Sequence, residues 1–155
     1  MADGSGLTPQ QLESWQAFMQ MQELLGSRLE QQLQRNSKLS NADYTVLVVL
    51  SESPGMRRRI YELGQLIGWE KSRLNHQLTR MGQRGLVRRE ADADSPRGIH
   101  AVLTDAGLAA ITEAAPAHEQ EVQRLFFEQL TDRQVGQLSK IAHQVLRELL
   151  PEEFS

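Results

Sequence analysis

Between Lys71 and Arg84 the chain sets Leu74, Leu78 and Met81 at i, i+4 and i+7, while its other side chains are polar or basic and none is acidic. That spacing predicts a helix with one narrow apolar stripe turned to a core and a broad hydrophilic face turned outward. Gly85 stops this helix, and Gly68 breaks a shorter one that covers Tyr61 to Ile67. Leu86 to Glu90 and Ile99 to Leu103 then read as two strands. Between them, Ala91 to Gly98 is rich in Asp, Ser, Pro and Gly, so it reads as a hairpin loop. Two helices around a tight turn, followed at once by a hairpin, form a helix-turn-helix with a β-wing.

The flanks are helical. Thr8-Pro9-Gln10-Gln11 supplies an N-cap, a proline at the first helical position and the partner of a capping box. Leu12, Trp15, Met19, Leu25, Leu29 and Leu33 continue at helical spacing to about Arg35, for a helix on the order of 40 Å long. That exceeds what a small globule needs and points to packing against another chain. Ser40-Asn41-Ala42-Asp43 opens a second helix, nearly all apolar from Tyr44 to Leu50 and ended by the turn Ser53-Pro54-Gly55. Arg57 to Ile60 reads as a short strand. Thr104 caps a helix predicted from Asp105 to about Gln129, with Pro116 expected to kink or interrupt it. Thr131 to Gln134 forms another capping box, ahead of a last helix with the stripe Val135, Leu138, Ile141, Ala142, Val145 and Leu149. The expected fold is therefore mainly α with a small β-wing. It comprises a dimerisation helix over 1–39, a winged helix-turn-helix lobe over 40–104 and dimerisation helices over 105–155.

The 155 residues carry a net charge of -3, which by itself speaks against a nucleic-acid partner. The distribution reverses that. From Arg57 to Arg97 there are ten basic residues against five acids, a local +5 that leaves -8 for the remainder. A local basic surface attracts phosphate whatever the total charge. The chain has no cysteine, so disulfides and thiolate metal sites are excluded, and the four histidines lack the spacing of a metal site. No apolar run reaches the roughly 18 residues of a membrane span, and Met1 to Gly6 does not read as a signal peptide. The expectation is a cytoplasmic chain without cofactor or metal, and not an enzyme.

In a helix-turn-helix the second helix offers its outer face to base edges, mostly from its N-terminal half. Arginine pairs with guanine, and Asn or Gln with adenine. Ser72, Arg73, Asn75, His76 and Gln77 are accordingly the expected base contacts, with Lys71, Arg80 and Arg84 on phosphates. At the wing tip, Arg97 and Gly98 suit a narrow minor groove. Trp15, Phe18, Met19, Tyr44, Leu47 and His118 are candidates to line an apolar ligand cleft between the outer helices and the lobe, alongside their reading as core or interface residues.

Several segments together carry a family resemblance: Ile60 to Leu74, Leu78-Thr79-Arg80-Met81, Arg84-Gly85-Leu86-Val87, Arg97-Gly98 and Leu103 to Gly107, with Asp43-Tyr44 and the flanking helices. They resemble the MarR family of bacterial transcriptional regulators. The resemblance implies an obligate homodimer on pseudo-palindromic double-stranded DNA, dimerised through the first and last two helices. It also implies release by a small, commonly aromatic effector. One position departs from the family pattern: Ser95, preceded by Asp94, stands where an aspartate usually orients the wing arginine. Two other readings share the basic middle. One is a DNA-organising protein of low specificity, and the other a winged helix that binds protein instead of DNA.

Overall fold

A computed structural model describes residues 6–95 and 98–152. The first helix, α1 (Pro9–Ser37), starts at the Thr8 capping box with Gln11 and ends on Lys38 in the left-handed region. It is about 43 Å long, yet only Gln32 and Leu33 along it are buried. Helix α2 (Asn41–Glu52) begins at the Ser40–Asp43 capping box. It docks beside α1, where the Asn41 side-chain amide donates to the Gly26 carbonyl at 2.8 Å. A short 3-10 turn over Pro54–Met56 leads to strand β1 (Arg57–Arg59). Helices α3 (Ile60–Ile67) and α4 (Lys71–Gln83) follow, then strands β2 (Val87–Ala91) and β3 (Ile99–Leu103). Helix α5 (Asp105–Leu125), a 3-10 turn over Phe127–Gln129 and helix α6 (Asp132–Leu149) complete the chain.

The three strands form one antiparallel sheet in the order β1-β3-β2. Arg57 pairs with Val102 and Arg59 with His100, while Val87 pairs with Leu103 and Ala91 with Ile99. The core lies between this sheet and α2, α3, α4 and the start of α5. Leu47, Leu50, Leu63, Leu74, Leu78, Met81, Ala101, Leu103 and Ile111 meet there. Burying each large aliphatic side chain in such a core stabilises the fold by about 1.5–3 kcal/mol.

Gly107 shows how tightly α5 is drawn onto the lobe. A Cβ at this position would lie 2.1 Å from the Leu86 carbonyl oxygen, so the approach requires glycine. Thr104 secures the junction: its hydroxyl accepts from the Gly107 N–H at 3.0 Å and donates to the Gly85 carbonyl.

Helix α5 ends at Leu125, earlier than the Gln129 that the sequence suggests, and is not interrupted at Pro116. Pro116 and Thr112 are both exposed, so the carbonyl that proline leaves without an N–H partner can be solvated. The helix ends instead at Phe126, whose ring meets that of Phe127 edge to face at 5.2 Å.

Candidate nucleic-acid interface

The turn between α3 and α4 is built by Gly68, whose φ of 70° places it in the left-handed region that closes a helix. The Trp69 N–H then donates back to the Gly64 carbonyl at 3.1 Å, and α4 starts after Glu70. No acid lies within the first turn of α4, although the exposed Glu70 stands at its N-cap.

Leu74, Leu78 and Met81 face the core as their spacing requires. Ser72, Arg73 and His76, three of the five residues expected to read bases, stand exposed on the outer face. Asn75 is half-buried. Its amide N–H donates to the Lys71 carbonyl at 3.0 Å, and its own backbone carbonyl accepts from Arg89 at 3.1 Å.

Gln77 corrects the expectation. It is buried, and its amide donates to the Asp43 carboxylate at 2.6 Å while its oxygen accepts from Arg80 at 2.7 Å. The reason is geometric. Gln77 lies three residues after Leu74 and four before Met81, so it shares the inward face with them. Arg84, expected on phosphate, is committed to the fold. It pairs with Asp43 at 2.8 Å and donates to the Lys38 carbonyl at 2.9 Å. Asp43, itself a capping residue of α2, thus joins the end of α1, the start of α2 and the length of α4. The sequence holds a signal for it in the single acid at the head of an apolar helix, a position where a carboxylate needs partners.

Lys71 and Arg80 stand exposed at the edge of α4. Arg89, missed in the sequence, reaches from β2 across α4 to the Asn75 carbonyl and the Thr79 hydroxyl at 3.3 Å. Other arginines of the sheet are paired: Arg57 and Arg88 with Glu90 at 3.5 and 3.6 Å, and Arg59 with Asp92 at 2.9 Å. The guanidinium of Arg73 has no carboxylate partner among the described residues. It sits over the Trp69 ring, 4.3 Å from its centre, a cation–π contact worth about 0.5–1 kcal/mol when exposed.

At the wing base the Asp92 N–H donates to the Gly98 carbonyl at 2.7 Å, closing the hairpin. The Asp94 N–H and the Arg59 guanidinium beside it hold the Asp92 carboxyl below its ordinary range. Asp92 is therefore the carboxylate that ties the wing to the edge strand. Gly98 packs directly on it. Arg97, the expected minor-groove residue, lies outside the described residues.

The six candidate ligand residues do not come together in one chain. Leu47 is fully buried in the core, whereas Trp15, Phe18 and Met19 are exposed on α1. Trp15 is about 16 Å along the helix from Gly26, where α2 docks. Tyr44 and His118 do meet, with ring centres 4.1 Å apart. Burial pushes the His118 imidazole below its ordinary value, against the pull of Glu119. Burial also raises the Tyr44 phenol, helped by Glu119 and Glu52.

No protein-family model and no curated protein matches the chain. Solved structures do. Sco3205, a MarR family transcriptional regulator from Streptomyces coelicolor solved in complex with DNA, is 34% identical; the match covers 99% of this chain and 96% of that one, with a TM-score of 0.89. AbsC, a MarR family transcriptional regulator from the same organism, is 38% identical over 93% of this chain and 97% of that one, with a TM-score of 0.85. The MepR–DNA complex of S. aureus shares the fold at 17% identity, covering 93% and 100% of the two chains with a TM-score of 0.75.

Proposed function

The chain belongs to the MarR family of transcriptional regulators, and from that premise we propose that it binds pseudo-palindromic operator DNA as a homodimer. The carrying observation is the outer face of α4, where Ser72, Arg73 and His76 are exposed and no acid is present. Two such helices, one from each copy, enter successive major grooves about one helical turn apart. Lys71 and Arg80 take phosphates, and Arg97 takes the flanking minor groove. The segments 1–39 and 105–155 supply the dimer contacts, and 40–104 is the DNA lobe.

The second copy is supported by the apolar side chains that the lone chain leaves in water. Leu12, Trp15 and Phe18 on α1 and Ile141, Val145 and Leu149 on α6 are each more than two-fifths exposed. Monomeric proteins rarely leave large apolar patches uncovered. A small-molecule effector then finds its site in the assembled dimer, where the exposed aromatic residues of α1 gain neighbours. A protein of this kind works where the DNA is, in the cytoplasm, and among the described residues no helix is long and apolar enough to cross a membrane.

The test is competition binding at fixed salt between a duplex selected from a random pool by the wild-type protein and unrelated duplex. The expected preference is about a thousandfold or more. Arg73→Ala should relax the preference at one base pair of each half-site by about 1–3 kcal/mol. If wild-type protein binds all duplexes alike, the low-specificity organiser is the better reading. Failure to bind any duplex at low salt favours a protein-binding role.

A further inference from the structure

We propose that Trp69 is a positioning residue for sequence reading: its indole face holds the Arg73 guanidinium in the pose from which it meets a guanine edge. The inference rests on Arg73 being a base contact, as proposed above.

The arrangement follows from the turn. Trp69 lies between the left-handed Gly68 and Glu70, the N-cap of α4, and its backbone N–H is tied to Gly64. Its half-buried ring packs against the core cluster. One aromatic face is thus fixed relative to the lobe. Arg73, four residues on and in the first turn of α4, places its guanidinium carbon 4.3 Å above the ring centre.

How Arg73 is held matters as much as that it is held. A carboxylate partner would occupy the donor fork, as Asp43 does for Arg84 and Asp92 does for Arg59. An aromatic face instead attracts the flat of the guanidinium and leaves its in-plane N–H groups free. Those are the groups that guanine O6 and N7 engage as a bidentate pair. Arg80, by contrast, already donates to Gln77. Of Arg73, Arg80 and Arg84, only Arg73 is held by a ring and no hydrogen-bond acceptor among the described residues. Holding the side chain in place before DNA arrives lowers the ordering cost that a free arginine meets on binding.

The experiment uses full-length protein and a synthetic duplex selected from a random pool by the wild type, together with variants substituted at each base pair. Affinities are read by fluorescence anisotropy at fixed salt. Trp69→Leu should lower discrimination by about two- to fivefold at the base pair where Arg73→Ala abolishes it. Affinity for duplexes already substituted at that pair should stay unchanged. Adding Trp69→Leu to Arg73→Ala should cost no further discrimination.

A uniform loss of affinity on all duplexes would mean that Trp69 only supports the fold, and would overturn the proposal. If Arg73→Ala reads every base as the wild type does, the base-contact assignment fails, and the Trp69 proposal fails with it. If Trp69→Leu changes nothing while Arg73→Ala does, the Trp69 proposal alone fails. Should Trp69→Leu not fold, Trp69→Tyr and Trp69→Phe replace it. Discrimination should then fall in the order Trp, Tyr, Phe, and equal values in all three would count against the platform.

Discussion

Helices α4 and α6 use the same device, an apolar stripe on a polar rod, to opposite ends. In α4 the stripe is fully covered: Leu74, Leu78 and Met81 have essentially no exposure. In α6 no residue is buried, and Ile141 and Leu149 remain 60% and 71% exposed. Their ends differ in the reverse sense. The Thr131–Gln134 capping box closes the start of α6, whereas Glu70 makes no side-chain bond at the start of α4. The helix with complete tertiary support begins without a side-chain cap, and the helix without that support begins well capped. Local and tertiary stabilisation are separable, and this chain places them in different helices.

The largest break in the comparison should come from Leu78→Ala. It removes a buried side chain from the covered stripe and should cost about 2–5 kcal/mol in urea denaturation, taking DNA binding with it. Charging the uncovered stripe should do something different. Ile141→Asp combined with Val145→Asp should leave each chain folded by circular dichroism but convert the proposed dimer to monomer in sedimentation velocity. Operator affinity should then fall about a hundredfold, because one half-site no longer helps hold the other. A folded dimer in that variant would mean that α6 faces solvent in the assembly.

Finer changes sharpen the contrast. Thr131→Ala should cost about 1 kcal/mol through loss of the cap, while Glu70→Ala, removing no cap bond, should cost close to nothing; equal losses would contradict the division of labour. A further small effect is expected where the terminal helices meet the lobe, at His118 against Tyr44. The folded His118 is held below the ordinary 6.5 by burial. As pH falls below 6.5 the unfolded chain takes up a proton that the folded chain refuses, so stability drops. Comparing pH 7 with pH 5.5, His118→Gln should remove part of that drop.

The sequence exposed most of the fold because its signals were local. Capping boxes at Thr8 and Thr131, the helix start at Ser40, glycine stops at Gly68 and Gly85, and the spacing of Leu74, Leu78 and Met81 each depend on neighbours a few residues away. What stayed hidden depended on distant partners. Gln77 reads as polar and outward until Asp43, 34 positions earlier, is placed beside it. Arg84 reads as a phosphate contact until the Lys38 carbonyl and Asp43 claim it. Asp92 gave no sign of its pairing with Arg59, because strand order sets that contact. Whether Pro116 interrupts the helix also depends on distance: its cost turns on whether the freed carbonyl meets water, which composition does not tell.

The burial of Gln77 also limits how the proposed reader could change its target. Recoding a binding site requires positions that can vary without disturbing the scaffold that presents them. On the inner half of α4 there is none, because a substitution at Gln77 unsettles Asp43, and through it Arg84 and the end of α1. On the proposed reading, the adjustable alphabet shrinks to Ser72, Arg73 and His76, with Asn75 partly constrained by Arg89. A library built to give this protein a new target should randomise those outward positions and leave Gln77 fixed, since a substitution there removes its buried bond to Asp43.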